Sequence, residues 1–207
     1  MNRFFIVRHG QTKWNTQLKT QGQQDSSLDE IGMIQTQKLA KRLSAFNIDH
    51  IYSSDLGRTI QTSDIISAQL QKDYSLEGSL REIDFGEWEG LTIEDIKKSY
   101  EAEYRMWRNE PDKARIPGAE SLQAVADRIA AGINKINEAH KSSNILLVSH
   151  GVVIKVLLLT LLNSSLSNIY KIKQDNTALN VVEFREYGPV ILRVNDTTHL
   201  EVGSFEK

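Results

Sequence analysis

The 207-residue sequence contains no cysteine, and this absence excludes several kinds of chemistry at once. Without a thiol, the chain can form no disulfide, has no thiolate nucleophile and offers no zinc–thiolate site. A chain without cysteine also suits a reducing compartment, so we expect a cytoplasmic protein. Proline is scarce as well, with three residues, and 40% of the residues are hydrophobic. This composition is that of a folded globular protein and not of a disordered one.

The sequence also lacks a strong charge of either sign, because its net charge is −2. Nucleic acids and anionic membranes require a large basic face, so we expect neither as a partner. The most apolar stretch, residues 145–162, is interrupted by Ser149-His150-Gly151 and by Lys155. This pattern predicts a strand, a turn and a helix in place of a membrane span. The N-terminus has no signal-peptide layout, and we expect a soluble protein.

The most prominent feature of the sequence is a pair of short apolar runs, each of which leads into a His-Gly pair. Phe4 to Val7 precede Arg8-His9-Gly10, and Ile145 to Val148 precede Ser149-His150-Gly151. Apolar runs of this length are typical of buried strands. In open α/β sheets, ligands bind beyond the carboxyl ends of parallel strands. If the two runs are parallel neighbours, the two histidines will meet at one site.

The remaining elements alternate between strands and helices. Asp29 is predicted to cap a helix that runs to about Phe46, with Ile31 and Ile34 among its apolar positions. A second helix, capped by the Ser and Asp residues of 53–55, runs to about Leu70. The alternation, with a late β-hairpin, predicts a three-layer α/β/α sandwich with a mixed, mostly parallel central sheet. We expect a single domain over residues 1–207.

Charged residues near the strand ends suggest an anion site. Arg8 precedes His9, and Arg58 lies near the start of a helix, where amide groups and the helix dipole favour anions. Gly151 opens another helix of this kind. A lone strand-end histidine is more often a hydrogen-bonded scaffold residue, and a lone arginine such as Arg58 is more often a surface ion-pair partner. The combination favours phosphate binding.

Glu82 precedes a glycine-punctuated acidic loop, which has three alternative interpretations. The loop could be a solvated turn, or its carboxylates could bind a divalent metal. The sequence contains no H-x-H, H-E-x-x-H or EF-hand spacing, so metal ligation is disfavoured. A single carboxylate near arginine and histidine is better suited to proton transfer.

These residues together resemble the histidine phosphatase superfamily, also called phosphoglycerate-mutase-like. Arg8-His9-Gly10-Gln11-Thr12 is similar to its R-H-G-[EQ]-[ST] signature. The match extends in family order through Trp14-Asn15, Gln21-Gly22, Asp25-Ser26-Ser27-Leu28, Ser53-Ser54-Asp55-Leu56-Gly57-Arg58-Thr59, Leu80-Arg81-Glu82-Ile83, Gly86-Glu87-Trp88-Glu89-Gly90, Pro117-Gly118-Ala119-Glu120-Ser121 and Ser149-His150-Gly151. An ordered set that covers the whole chain is a far more specific signal than one motif.

The resemblance implies a phosphoric monoester hydrolase of the histidine phosphatase type, and it implies no metal or other cofactor. His9 would be the nucleophile that forms a phosphohistidine, and Glu82 would be the general acid and base. Electrostatic contacts to the phosphoryl oxygens would come from Arg8, Arg58 and His150. Contacts to the phosphoryl group or the substrate are expected from Asn15, Gln21, Gly22 and Gly151.

The segment after Glu82 separates the branches of the family. Phosphoglycerate mutases typically carry a longer segment there, with an Arg-His-Tyr-Gly-like motif, whereas this chain has Ile83 to Gly90. The chain looks like the phosphatase branch, with broad-specificity PhoE-type and α-ribazole-phosphate phosphatases. A mutase, or a non-catalytic phosphate-binding protein, is the alternative. The expected partner is a small phosphomonoester, and a homodimer is compatible with the sequence.

Residues from about 92 to 119 are expected to form a cap insertion. The segment contains Tyr100, Tyr104, Arg105, Met106, Trp107 and Arg108. Its aromatic side chains would either line the substrate pocket or pack on the sheet.

Overall fold

A computed structural model describes residues 1–201. Six strands form one sheet: β1 (Asn2–Arg8), β2 (His50–Ser53), β3 (Ser75–Leu76), β4 (Asn144–Ser149), β5 (Leu179–Arg185) and β6 (Gly188–Asp196). Their order in the sheet is β3-β2-β4-β1-β5-β6. Strands β1 to β4 are mutually parallel, and β5 runs antiparallel to both β1 and β6. The predicted mixed, mostly parallel sheet and its terminal hairpin are confirmed.

In this part of the chain, seven α-helices connect and cover the strands: α1 (Lys13–Thr16), α2 (Glu30–Leu43), α3 (Gly57–Leu70), α4 (Ile93–Ser99), α5 (Glu101–Asn109), α6 (Leu122–Ala139) and α7 (Gly151–Leu161). Short 3-10 helices lie at Gly78–Leu80, Gly86–Trp88, Leu166–Lys171 and Thr198–Leu200. Within residues 1–201, no helix combines the length and the apolar character that crossing a membrane requires. The division into one domain with a cap insertion stays a prediction.

The alternation of side chains along β1 divides the core between the two faces of the sheet. Phe4 and Ile6 belong to the cluster that also contains the buried residues of α6 and α7. Phe5 and Val7 belong to the cluster on the other face, with Leu39 of α2 and further residues of α3. Because successive strand residues point to opposite faces, one continuous apolar run supplies both clusters. The three-layer prediction is therefore confirmed.

Helix α2 begins after its Asp29 cap, as predicted, but its buried face differs from the prediction. Ile31 and Ile34 were expected to face the core, and they are 57% and 52% exposed. Gly32 lies so close to the first loop that a Cβ there would come within 2.0 Å of the Gln11 carbonyl oxygen. This close approach turns the glycine toward the protein, so the neighbouring isoleucines point to solvent.

The cap of helix α3 also differs from the prediction. The N-cap residue is Leu56, which forms no side-chain cap hydrogen bond, so the expected Ser and Asp caps of residues 53–55 are wrong. The carboxylate of Asp25, from the long loop after β1, accepts hydrogen bonds from the amides of Gly57 and Arg58. A carboxylate distant in sequence thus satisfies the free amides at the helix start, which a local pattern cannot reveal.

Candidate active site

The carboxyl ends of β1 and β4 bring the two His-Gly histidines together. Arg8 is paired with Ser149 in the parallel register, so His9 and His150 follow at the same edge. Their ring centroids are 5.3 Å apart. A cavity of about 290 Å³ opens at this edge. Among the residues predicted for the site, its walls contain Arg8, His9, Asn15, Gln21, Gly22, Arg58 and Glu82.

His9 is oriented by its own neighbour. Its Nδ1 lies 2.7 Å from the carbonyl oxygen of Gly10. Because a carbonyl can only accept, Nδ1 carries the proton, and Nε2 of the neutral ring keeps its lone pair. Burial first, and then the guanidinium groups of Arg58 and Arg8, hold the pKa of His9 well below its usual value. The ring is therefore neutral near pH 7 and can act as a nucleophile.

Both arginines are held by main-chain carbonyls. Nη1 of Arg8 donates to the carbonyl of Gln174 at 2.7 Å. Arg58, which is 1% exposed, donates to the carbonyls of Gly22 at 2.7 Å and Gln24 at 2.8 Å. The Nε atoms of both arginines are buried and have no hydrogen-bond partner within residues 1–201.

His150 adds a third unpaired buried donor position. Its Nε2 lies 2.8 Å from the hydroxyl of Ser54, while its Nδ1 is buried and has no partner among the described residues. If the Ser54 hydroxyl donates to Nε2, the proton of the neutral ring is on Nδ1. Burial, followed by the charge of Arg58, holds the pKa of His150 well below its usual value. His150 does not itself line the cavity, but its ring lies beside that of His9. Unpaired buried polar groups are rare in proteins, and the unpaired groups of Arg8, Arg58 and His150 around His9 indicate a site built for an anion.

The side chain of Glu82 contacts the first amides of helix α7. Its Oε1 accepts hydrogen bonds from the amides of Ile83 at 3.1 Å and Val153 at 3.2 Å, and its Oε2 accepts from Val152 at 3.3 Å. The amides at this helix start, predicted to favour an anionic ligand, thus hold the carboxylate of the protein itself. Gly151 does not line the cavity, and a Cβ there would lie 3.4 Å from Nε of Arg8. Its geometry favours close packing against Arg8 over direct substrate contact.

The three predicted substrate residues of the first loop all face the cavity. Oδ1 of Asn15 accepts from the amide of Thr12 at 3.1 Å and from Nδ2 of Asn176 at 3.3 Å, and Nδ2 of Asn15 remains available as a donor. Oε1 of Gln21 is buried and has no partner in the described part of the chain. Gly22 has a φ of +55°, and a Cβ there would lie 1.8 Å from Oε1 of Glu89.

Several residues that support the site were not predicted from the sequence. Glu89 joins the first loop to the acidic loop, because its carboxylate accepts from the amides of Gln23 at 2.7 Å, Gln24 at 3.1 Å and Phe85 at 3.0 Å. Asp25 caps α3 and lies 3.1 Å from Nη1 of Arg58. Both residues belong to the motifs that match the family, but nothing in the local pattern indicates their contacts.

Helices α4 and α5 contribute one wall of the cavity, so part of the segment 92–119 lines the pocket, which is the first of the two expectations for it. Tyr104, Trp107 and Arg108 line the cavity together with Ile93 and Ile96. Trp107 also packs edge-to-face on Trp88, with ring centroids 6.5 Å apart. The other residues named for this role, Tyr100, Arg105 and Met106, do not line it. No group of three histidine, aspartate or glutamate side chains within residues 1–201 is arranged as metal ligands would be.

Comparison with known proteins agrees with this geometry. The chain is 34% identical over 200 residues to phosphoserine phosphatase 1 of Hydrogenobacter thermophilus, which covers 97% of this chain and 95% of the relative. It is 32% identical to the protein named "Probable phosphoglycerate mutase GpmB" of Salmonella choleraesuis, over 100% of this chain and 99% of that one.

The structure of YhfR from Bacillus stearothermophilus superimposes with a TM-score of 0.93 at 28% identity, covering 97% of this chain and 100% of that chain. The model of the histidine phosphatase superfamily, branch 1, matches residues 4–197. This match includes both His-Gly motifs, both arginines and Glu82. The chain therefore belongs to the histidine phosphatase superfamily, as its motifs predict.

Proposed function

We propose that this protein hydrolyses the phosphate monoester of a small metabolite through a phosphohistidine formed on His9. One observation carries the proposal. The Nε2 lone pair of His9 lies in the same cavity as Arg8 and Arg58, and the buried Nε atoms of both arginines lack partners. A neutral nucleophile beside unpaired cationic donors suits attack on a phosphoryl group.

In the first step, Nε2 of His9 attacks phosphorus in line with the leaving ester oxygen. The N–P bond forms, the P–O ester bond breaks, and its electron pair goes to the departing alkoxide oxygen. Glu82, which must carry a proton at this stage, transfers that proton to the alkoxide and becomes a carboxylate. Arg8, Arg58 and His150 hold the non-bridging oxygens, where negative charge is concentrated.

In the second step, Glu82 removes a proton from water, and the oxygen of that water attacks phosphorus. The N–P bond breaks and its electron pair returns to Nε2 of His9. The amides of Val152 and Val153 hold the carboxyl group of Glu82 in position. General acid and base assistance of this kind contributes roughly 10²–10⁴-fold.

The substrate class is also a proposal. The relatives are named for phosphoserine and phosphoglycerate, which are both small phosphorylated carboxylic acids. A cavity of about 290 Å³ suits a molecule of this size. The cysteine-free sequence supports the cytoplasm as the compartment in which the protein acts.

A mutase is the second candidate, because one relative carries that name. In a mutase the phosphohistidine returns its phosphoryl group to a bound intermediate, and water is not the acceptor. The two reactions differ in their products, since only hydrolysis releases inorganic phosphate.

The test is the hydrolysis of p-nitrophenyl phosphate in excess EDTA by wild type, His9→Ala and His50→Ala. His50→Ala is the control, because this substitution also removes an imidazole. The His50 ring stacks on His140 and does not line the cavity. We expect phosphate release by wild type and His50→Ala and none by His9→Ala. Activity that survives in His9→Ala would show that the nucleophile is misassigned. Isomerisation of phosphoglycerate without release of phosphate would favour the mutase.

A further inference from the structure

The outer wall of the cavity has a cation that the proposed reaction does not use. Arg108 lines the cavity from α5, and its guanidinium carbon lies 4.0 Å from the ring centroid of Tyr170, which also lines it. Within residues 1–201, Arg108 forms no ion pair. Other arginines of this chain do pair with carboxylates, for example Arg81 with Asp55 and Arg128 with Glu120. Contact with Tyr170 orients the guanidinium, and a planar guanidinium has five N–H donors, so several of them stay available to a ligand.

A second unpaired cation lies behind the same tyrosine. Nζ of Lys155, in the first turns of α7, is 5.8 Å from the Tyr170 centroid. Lys155 also forms no ion pair within the described chain. Burial and the nearby charges of Arg8 and Arg108 lower its pKa, against an opposing effect from Glu82. Lys155 therefore lies in the electrostatic field of both the phosphoryl site and the outer wall.

The positive charges of Arg8, Lys155 and Arg108 repel one another, and such an arrangement is stabilised by a bound anion. The phosphoryl group already accounts for Arg8 and Arg58. Apolar side chains, including Trp88, Ile96 and Trp107, line the cavity as well. These surfaces suit a short carbon skeleton with a negative group at each end.

We propose that Arg108, held by Tyr170 and supported by Lys155, binds a carboxylate on the non-phosphorylated end of the substrate. The inference rests on the proposed function and deepens it, because it selects phosphate esters of hydroxy acids over uncharged esters. A carboxylate fits this wall better than a second phosphate. Arg108 is the guanidinium that lines this wall, and Lys155 lies near Tyr170 without lining the cavity, whereas two arginines and a histidine surround the phosphoryl site. Lys19, from the first loop, is the other cation among the lining residues. The planar fork of an arginine also matches a carboxylate.

The test compares two esters that differ only at the proposed contact. 3-Phosphoglycerate has a carboxylate where glycerol 3-phosphate has a hydroxymethyl group, and the rest of the two molecules is the same. The measured quantity is the ratio of kcat/KM for 3-phosphoglycerate to kcat/KM for glycerol 3-phosphate. We expect wild type to favour the carboxylate by about tenfold or more, as a charge-assisted hydrogen bond at a partly exposed site allows.

Arg108→Gln should lower this ratio about tenfold, mainly through KM, because the contact exists in both the ground state and the transition state. Lys155→Gln should lower the ratio in the same direction by a smaller factor. Arg105→Gln is the matched control, since Arg105 lies on the same helix and does not line the cavity. It should leave the ratio unchanged. Thermal unfolding of each variant confirms that the fold is retained.

Two results would overturn the inference. The first is an Arg108→Gln variant with the wild-type ratio. The second is a lowered ratio in Lys19→Gln with the wild-type ratio in Arg108→Gln and Lys155→Gln. Lys19 also lines the cavity, from the first loop, and this result would assign the carboxylate contact to it. Wild type that hydrolyses p-nitrophenyl phosphate with a ratio near one refutes only this inference. Wild type that releases phosphate from none of the esters refutes the proposed function with it.

Discussion

Asp25 has two separable roles, and substitution should affect both. Its carboxylate caps helix α3 through the amides of Gly57 and Arg58, and it lies 3.1 Å from the Arg58 guanidinium. Arg58 is 1% exposed, whereas the side chain of Asp25 is 43% exposed. Asp25→Ala should therefore remove a helix cap and the carboxylate partner of a buried cation.

The expected loss of stability combines these roles. Loss of a helix cap costs about 1 kcal/mol. Breaking a fully buried ion pair costs about 3–5 kcal/mol, but water screens the exposed Asp25, so we expect about 1 kcal/mol from this term. The free energy of unfolding should thus fall by roughly 2 kcal/mol, and kcat/KM should fall about tenfold because Arg58 is less well positioned.

Asp29→Ala is the matched control. Asp29 caps α2 through the amide of Gly32 at 2.7 Å and forms no contact with Arg58. Urea unfolding of this variant should show a loss of about 1 kcal/mol, with kcat/KM unchanged. Equal losses of stability in Asp25→Ala and Asp29→Ala, with wild-type kinetics in both, would refute the assigned role of Asp25 at Arg58.

Three further outcomes are expected. Because burial and two arginines lower the pKa of His9, its neutral form persists to acidic pH, and kcat/KM, corrected for substrate ionisation, should fall only well below pH 6.5. An acidic limb centred at 6.5 would contradict this. Ser54→Ala removes the partner of His150 Nε2 at 2.8 Å, and steady-state kinetics should show about a tenfold lower kcat. An unchanged kcat would mean that this hydrogen bond does not orient the ring. Gly22→Ala places a Cβ against Glu89 at a φ of +55°, so urea unfolding should show a loss of at least about 1 kcal/mol. Wild-type stability would show that the loop relaxes freely.

Much of the fold could be predicted from the sequence, because two apolar runs, each leading into a His-Gly pair, define the central strands. The strand at Phe4 to Val7 and the strand at Ile145 to Val148 were both predicted, and their parallel pairing places the histidines together. The faces of α2 were harder to predict, because the contact between Gly32 and Gln11 depends on how closely two distant segments approach. Hydrophobic periodicity alone pointed to Ile31 and Ile34, which are exposed.

The site was predictable where a motif names its residues, and less so where contacts cross the fold. His9, Arg8 and Arg58 could be selected from their positions near the predicted strand ends and helix start. The hydrogen bonds from Val152 and Val153 to Glu82 join segments about 70 residues apart, so no local pattern reveals them. The same is true of Arg108 and Tyr170, which become neighbours only when α5 packs against the segment Leu166–Lys171.

The position of β1 in the middle of the sheet has a consequence for synthesis on the ribosome. β1 is made first, yet both of its neighbours, β4 and β5, belong to the last third of the chain. His9, the proposed nucleophile, is synthesised together with an apolar strand that stays unpaired until β4 and β5 have been translated. Pairings of such long sequence separation form slowly and leave the early chain prone to aggregation. Enzymatic activity in a nascent chain would therefore report that the central sheet has closed.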